Sequence, residues 1–170
     1  MEIASFAAGC FWGVQAEFDK IPGVVETTVG YMGGKIKNPT YKQVCTDTTG
    51  HAEAIEIKYD PEKISYEKLL EIFWSIHDPT QYNRQGVDVG SQYRSVIFYH
   101  NDEQRRIAEE SKIQQQSKFD KKIVTEIVQA PAFYPAEDYH QKYLEKKDKA
   151  GNQIKIIYFL VKCKAAELIQ

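Results

Sequence analysis

Residues 3–20 read IASFAAGCFWGVQAEFDK and join a strand pattern directly to a helix pattern. The apolar run Ile3–Ala8 predicts a strand, and the apolar spacing from Trp12 to Lys20 predicts a helix. Cys10 lies at the junction, where the free N–H groups and the dipole of a helix start favour an anion. The junction predicts a reactive thiol whose pKa is lowered from about 8.5 towards neutrality or below. The alternative is an unreactive cysteine buried beside core aromatic rings.

Strand and helix patterns continue along the rest of the chain and predict one domain, residues 1–170. Further strands are predicted at residues 24–31, 51–59, 93–100 and 122–128, and further helices at residues 65–76, 101–119 and 136–147. Residues 32–49 and the long polar loop 77–92 are predicted to be irregular, and loops of this length are often functional. This mixture predicts an α+β or α/β two-layer sandwich, with residues 150–170 as a divergent tail.

The composition argues against several classes of partner. The chain has 22 Lys and Arg against 24 Asp and Glu, so neither nucleic acid nor an anionic membrane is expected as the main partner. No basic segment precedes an apolar stretch at the N-terminus, and no apolar run is long enough to span a bilayer. We therefore expect a cytoplasmic protein.

The three cysteines, Cys10, Cys45 and Cys163, are widely spaced and form no zinc-like group with histidine, so no metal is expected. A cysteine-based phosphatase needs an arginine six residues after its nucleophile, where this chain has Ala16. A thioredoxin-type oxidoreductase needs a second cysteine close by. A Cys/His protease needs a histidine beside the thiol. The sequence places none of its four histidines there: His51, His77, His100 and His140.

Glu53 is a second candidate for chemistry. It shares one face of the predicted strand 51–59 with Ile55 and Ile57, so its carboxyl is expected to lose contact with solvent, which raises its pKa. A carboxyl that stays protonated near neutral pH can act as a general acid. The alternative, a solvated Glu53 at the entry of the strand, stays open on these residues alone.

Five sets of motifs resemble the A-type peptide methionine sulfoxide reductase family and follow its order along the chain. They are Gly9–Gly13, Gly30–Gly34 with Asn38–Tyr41, Thr49–Glu53, Asp88–Ser95 and Ala136–Gln141. The matches run from about Ala8 to Lys146, which is most of the chain. The resemblance implies a ferredoxin-like core with a mixed sheet and extra loops.

The resemblance also implies a reaction. Cys10 would attack the sulfur of a methionine S-sulfoxide, and Glu53 would donate a proton to the sulfoxide oxygen. Tyr41 and Tyr93 would hydrogen-bond that oxygen. Methionine would leave and Cys10 would become a sulfenic acid, which a thiol then reduces. No metal or organic cofactor is required for this scheme.

The surroundings of the site follow from the same resemblance. Phe11 and Trp12 would line a pocket for the substrate methyl group, and Asp88 would organise the site through water. The substrate would be methionine sulfoxide, free or in proteins and peptides. Thioredoxin or another dithiol would be the reductant, and the chain is expected to act as a monomer.

Recycling of the sulfenic acid departs from the pattern of many relatives, which use a cysteine in a glycine-rich C-terminal tail. Here the tail carries a single glycine, Gly151, and its sequence predicts ordered structure. Three schemes stay open: Cys163 as the resolving residue, Cys45 in that role, or direct reduction of Cys10 by an external thiol. A disulfide requires the two Cα atoms to come within about 7 Å, so an ordered tail would have to rearrange.

Two other functions compete with the reductase. A non-catalytic relative would only bind oxidised methionine or a partner, and the intact set of Cys10, Glu53, Tyr41 and Tyr93 argues against it. A thiol peroxidase or redox sensor would use Cys10 alone and would consume peroxide quickly without any sulfoxide.

Overall fold

A six-stranded mixed sheet lies at the centre of the computed structural model, which describes residues 1–150. The strands of the chain are β1 (Glu2–Ala8), β2 (Val24–Met32), β3 (Ala52–Tyr59), β4 (Arg84–Gln85), β5 (Asp88–Val89), β6 (Ser95–Tyr99), β7 (Glu126–Gln129) and β8 (Tyr134–Pro135). Strands β4 and β5 pair separately as a hairpin. The order across the sheet is β7-β6-β1-β3-β2-β8, in which β6 and β7 run parallel and the other neighbours antiparallel.

Three helices cover one face of this sheet. The helical elements are α1 (Phe11–Phe18), α2 (Tyr41–Val44), α3 (Tyr66–Ser75), α4 (Asp102–Gln116) and α5 (Tyr143–Lys149), with 3-10 turns at Ser91–Tyr93 and Asp138–His140. The main core lies between the sheet and α1, α3 and α4, where Phe6, Ile55 and Phe73 are fully buried. A smaller cluster that includes Ala54 and Phe98 fills the opposite face. The predicted α+β two-layer class is confirmed.

Three predicted elements differ from the structure. Residues 32–49 include the short helix α2, which begins with a capping box. This helix is too short for a helical period to be visible in the sequence. The strand predicted at residues 122–128 begins only at Glu126. The helix predicted over residues 136–147 is a 3-10 turn followed by α5, and Lys142 separates them in the left-handed conformation, with a φ of 53°.

The long loop predicted at residues 77–92 folds back as the β4–β5 hairpin against Gly9. Gln85 ties the hairpin to the start of the loop through hydrogen bonds of 3.0 Å with the N–H and the carbonyl of Asp78. Gly9 has a φ of 90°, and a Cβ there would lie 2.8 Å from Cγ of Gln85. Glycine therefore permits both the turn and the close approach that brings Asp88 within electrostatic reach of Cys10.

His77 anchors the start of that loop in the core. Its Nδ1 donates to the carbonyl oxygen of Phe73 at 2.7 Å, so its Nε2 accepts from the hydroxyl of Ser95 at 2.7 Å. The Ser95 oxygen in turn accepts from the hydroxyl of Thr125. Burial lowers the pKa of His77 from 6.5 to about 4, so this ring is neutral in the folded protein at neutral pH.

The buried ring of His77 makes stability depend on pH. Between pH 6.5 and about 4 the unfolded chain binds a proton at His77 that the folded chain does not, so the free energy of unfolding falls as the pH drops through this window. Urea titrations of His77→Gln across this window should lack that part of the loss, roughly 3 kcal/mol. Thr125→Val is the matched control, because it keeps the titrating ring and should lower stability about equally at every pH. An undiminished pH dependence in His77→Gln would contradict this assignment.

Candidate active site

Cys10 occupies the N-cap position of α1, directly after the positive-φ Gly9. Its thiol is free and partly buried, and the main-chain N–H groups of Trp12 and Gly13 act on the sulfur in the direction that lowers its pKa. These donors belong to the first turn of the helix, whose N–H groups have no partner within the helix itself, and they favour negative charge on the sulfur. The strand–cysteine–helix junction predicted from the sequence is present.

The Glu53 carboxyl lies beside this thiol, on the helix-covered face of β3. Glu53 is 2 % exposed, and its Oε2 accepts a hydrogen bond from the N–H of Phe11 at 3.0 Å. Burial raises the pKa of Glu53 to about 8; the Phe11 N–H opposes this shift, and the charge of Asp88 adds to it. The carboxyl is therefore mostly protonated at neutral pH.

The Cys10 thiol is less acidic than the sequence predicted. Burial raises its pKa to about 12, and the negative charges of Glu53 and Asp88 add to the effect, while the two N–H donors of α1 lower the pKa by less. The predicted pKa near or below neutrality was wrong because neither burial nor the two carboxyl groups could be read from the helix start. The two titrations are coupled, since protonation of Glu53 removes a negative charge from beside the sulfur.

Three more residues predicted for the site, Tyr41, Tyr93 and Asp88, lie within electrostatic reach of Glu53. The charge of Asp88 acts on both Cys10 and Glu53. Burial raises the pKa of both tyrosine hydroxyls, and the charge of Glu53 raises it further. Both hydroxyl groups therefore stay protonated at neutral pH and remain hydrogen-bond donors.

The two aromatic residues that follow Cys10 have different surroundings. The Phe11 ring is 1 % exposed and packs in the core against His140. The Trp12 ring is half-buried and stacks on Tyr143, with the two centroids 3.9 Å apart. Trp12 can therefore form an accessible apolar wall next to the thiol, whereas Phe11 supports the site from inside the core.

Two residues of the site, Glu137 and His140, were missed in the sequence. Glu137 accepts a hydrogen bond from the N–H of Tyr41 at 2.7 Å, and His140 accepts one from the indole N–H of Trp12 at 2.9 Å. The motif Ala136–Gln141 was recognised as one of the family motifs in the sequence. Because it was predicted to be part of a helix, the contacts of this turn with Trp12 and Tyr41 were not expected.

The described residues include one of the two cysteines predicted as resolving partners of Cys10, namely Cys45. Cys45 is exposed at the end of α2, close enough to Tyr41 to raise the pKa of its hydroxyl. Cys45 also lies within electrostatic reach of Tyr93, which is itself within reach of Cys10. Cys163 lies outside the described residues.

Residues 1–150 contain no group of three or more His, Cys, Asp and Glu side chains that could hold a metal ion. Within the same part of the chain, every helix is too short or too polar to cross a membrane.

A thiol beside a buried, protonated carboxyl is typical of enzymes in which a sulfur attacks while an acid donates a proton. The fold and the site thus define a cysteine-dependent enzyme of the α+β class. The chain belongs to the peptide methionine sulfoxide reductase family, whose model matches residues 2–168.

Relatives and solved structures resemble most of the chain. It is 59 % identical over 150 residues to the peptide methionine sulfoxide reductase MsrA of Methanothermobacter thermautotrophicus, covering 87 % of this chain and 89 % of that protein. Reduced Mxr1 from Saccharomyces cerevisiae superposes with a TM-score of 0.83 at 37 % identity, covering 86 % of each chain. Methionine sulfoxide reductase A of Corynebacterium diphtheriae superposes with a TM-score of 0.78 at 38 % identity, covering 86 % of this chain and 75 % of that one.

Removing the Glu53 charge should make the Cys10 thiol more acidic. In a chain whose other thiols are removed by Cys45→Ser and Cys163→Ser, we expect Glu53→Gln to lower the pKa of Cys10 from about 12. The pH profile of alkylation by iodoacetamide should shift to lower pH, with about tenfold faster reaction at a fixed alkaline pH. Glu56→Gln changes a carboxyl on the opposite face of the same strand and should leave the profile in place. Identical profiles for Glu53→Gln and its parent would show that the two groups do not interact.

Proposed function

We propose that this chain reduces the S epimer of methionine sulfoxide, free or in a polypeptide, with Cys10 as nucleophile and Glu53 as general acid. The observation that carries the proposal is a mostly protonated carboxyl held on the N–H of Phe11, the residue next to the thiol. The half-buried Trp12 provides an apolar wall for the substrate methyl group, with Phe11 behind it. Membership of the peptide methionine sulfoxide reductase family supports the same substrate class.

The reaction needs an acid because a sulfoxide sulfur is a poor electrophile until its oxygen is protonated. Glu53, with a pKa of about 8, holds this proton at neutral pH and can donate it to the oxygen. As the Cys10 sulfur bonds to the substrate sulfur, the thiol proton passes to the carboxylate just formed. The oxygen then passes to the Cys10 sulfur as the S–O bond and the new S–S bond both break, which yields methionine and a cysteine sulfenic acid. Two electrons move from the cysteine sulfur to the substrate sulfur, and no proton is consumed overall.

Tyr41 and Tyr93 supply the remaining donors around the sulfoxide oxygen. Since burial raises the pKa of both hydroxyls, each stays protonated and can stabilise negative charge as it develops on the oxygen. Asp88 supports the acid, because its charge raises the pKa of Glu53. A water between Asp88 and the thiol–carboxyl pair would extend this network.

Replacing Glu53 by Gln removes the acid and keeps a side-chain oxygen for the N–H of Phe11. We expect the single-turnover rate of S-sulfoxide reduction, measured with no added reductant, to fall about 10²- to 10⁴-fold at neutral pH. The loss should be smallest at acid pH, where solvent can protonate the oxygen instead.

Glu56→Gln is the matched control and should keep the parental rate, since Glu56 lies on the other face of β3. The R epimer should be a poor substrate for the parent and for both variants. A parental rate for Glu53→Gln at neutral pH would exclude Glu53 as the acid, and equal reduction of both epimers would exclude the proposed stereospecificity.

The sulfenic acid at Cys10 must then be reduced by a thiol. Cys45 is a candidate, because it is exposed and lies beside Tyr41 and Tyr93, which we place around the sulfoxide oxygen. Its attack would release water and form a Cys10–Cys45 disulfide, which thioredoxin or another dithiol of a reducing cytoplasm would reduce. Mxr1 of Saccharomyces cerevisiae has been solved in complex with Trx2, and that chain superposes with a TM-score of 0.60 at 27 % identity, covering 84 % of each chain. Cys163 and direct reduction of Cys10 are the alternative routes.

One turnover without reductant should separate these routes. We expect the parent to end as a Cys10–Cys45 disulfide, identified by mass spectrometry of its peptides. Cys45→Ser should keep the first turnover but leave a sulfenic acid at Cys10 that dimedone traps, and its turnover with thioredoxin should be slower. Cys163→Ser is the control and should behave as the parent. A Cys10–Cys163 disulfide in the parent would refute Cys45 as the resolving residue.

A further inference from the structure

His140 lies directly behind the accessible wall of the site. It is 0 % exposed, and its Nδ1 accepts the indole N–H of Trp12 at 2.9 Å. Its ring centroid is 4.4 Å from that of Tyr41, 5.2 Å from that of Phe11 and 5.7 Å from that of Trp12. One buried imidazole therefore contacts three side chains to which the proposed function assigns a part, although that function gives His140 no part of its own.

The hydrogen bond with Trp12 requires a neutral imidazole. Nδ1 can accept the indole proton only while it carries none itself, so the proton of the neutral ring is on Nε2. That Nε2 is buried and has no hydrogen-bond partner among the described residues, and the nearest carboxylate oxygen, Oε2 of Glu137, is 3.8 Å away. Burial lowers the pKa of His140, and Glu137 opposes the shift, so the neutral form prevails at neutral pH.

Two residues, Tyr143 and His140, together fix the orientation of the Trp12 indole. Stacking on Tyr143, with ring planes 13° apart, fixes the plane of the indole but leaves rotation within that plane open. The directional bond from the indole N–H to His140 fixes this rotation. Stacking without the hydrogen bond would therefore keep the ring at the site but not in one orientation.

We propose that His140 is a positioning residue that holds the Trp12 indole in the orientation required to bind the substrate methyl group. This inference rests on the proposed function only in taking Trp12 as the wall of the methyl pocket. Protonation of His140 would replace the acceptor with a second N–H facing the indole N–H, and so would release Trp12.

Two replacements of His140 separate hydrogen bonding from packing. His140→Phe keeps a ring but has no acceptor, and we expect it to raise the KM for methionine S-sulfoxide about fivefold to tenfold with a smaller change in kcat. His140→Gln restores an acceptor and should recover most of the loss. A parental KM for His140→Phe would overturn the proposal.

The indole N–H resonances give a readout that does not depend on activity. The resonance of Trp12 should move in His140→Phe, whereas that of Trp74, whose indole N–H donates to Ser111 at 2.7 Å, should stay in place as an internal control for folding. An unmoved Trp12 resonance would show that His140 does not hold the indole. This result is independent of whether the protein reduces any sulfoxide, so it separates failure of this inference from failure of the proposed function.

A double-mutant cycle tests whether His140 acts through Trp12. In a Trp12→Phe background, His140→Phe should change KM less than twofold, because the bond it removes is already absent. A fivefold rise in KM in that background would refute the positioning role.

If His140→Phe does not fold, a pH titration of the unmutated protein tests the proposal instead. As the pH falls below the ordinary range of histidine, protonation of His140 should shift the Trp12 indole resonance but not that of Trp74. The other titratable groups around the ring are Glu137, Tyr41 and Tyr139, and His140→Gln retains all three. An equal shift of the Trp12 resonance in the parent and in His140→Gln would assign the effect to those groups and contradict the proposal.

Discussion

The burial of the Glu53 carboxyl beside the Cys10 thiol is the constraint on which the site depends. Negative charge is costly in a pocket with little solvent, and two negative charges side by side are costlier still. The pKa of each group is accordingly raised, to about 8 for Glu53 and to about 12 for Cys10. The free protein therefore keeps both protons at neutral pH. In the reaction we propose, the substrate oxygen takes the proton of Glu53, and the carboxylate so formed then accepts the proton of the thiol.

The topology of the sheet explains why these two groups meet. Strands β1 and β3 are antiparallel neighbours at the centre of the sheet, with Phe6 opposite Ile55, so the end of β1 lies beside the beginning of β3. The chain turns at Gly9 into α1, whose first turn donates the N–H of Phe11 to the carboxyl and acts on the sulfur through the N–H groups of Trp12 and Gly13. Backbone atoms of regular elements thus position the thiol and the acid, and longer loops contribute only the groups around them.

Local patterns in the sequence predicted the parts of this arrangement that depend on neighbours in the chain. The strand–cysteine–helix junction and the place of Glu53 on the apolar face of its strand follow from the periodicity of residues 3–20 and 51–59, and the structure has both. The structure also decides that Glu53 is buried, which the sequence had left open. The acidity of Cys10 depends on burial and on carboxyl groups 43 and 78 positions along the chain, as the numbers of Glu53 and Asp88 show, so no local pattern could give it. Glu137 and His140 escaped prediction for the same reason, because tertiary hydrogen bonds and a left-handed residue replaced the expected helix.

A protonated resting thiol has a consequence for selectivity. The thiolate is the form that oxidants and alkylating agents attack, so a Cys10 thiol with a pKa of about 12 reacts slowly with them at neutral pH. In the reaction we propose, a sulfoxide differs because its oxygen takes the proton of Glu53 while the hydroxyls of Tyr41 and Tyr93 donate to it. The Cys10 sulfur is therefore activated only when a substrate oxygen lies where it can accept the proton of Glu53. In the same proposal, the wall formed by Trp12 allows that placement only for a group that fits beside the indole. The burial that makes the thiol a weak acid thus also confines its reactivity to the substrate.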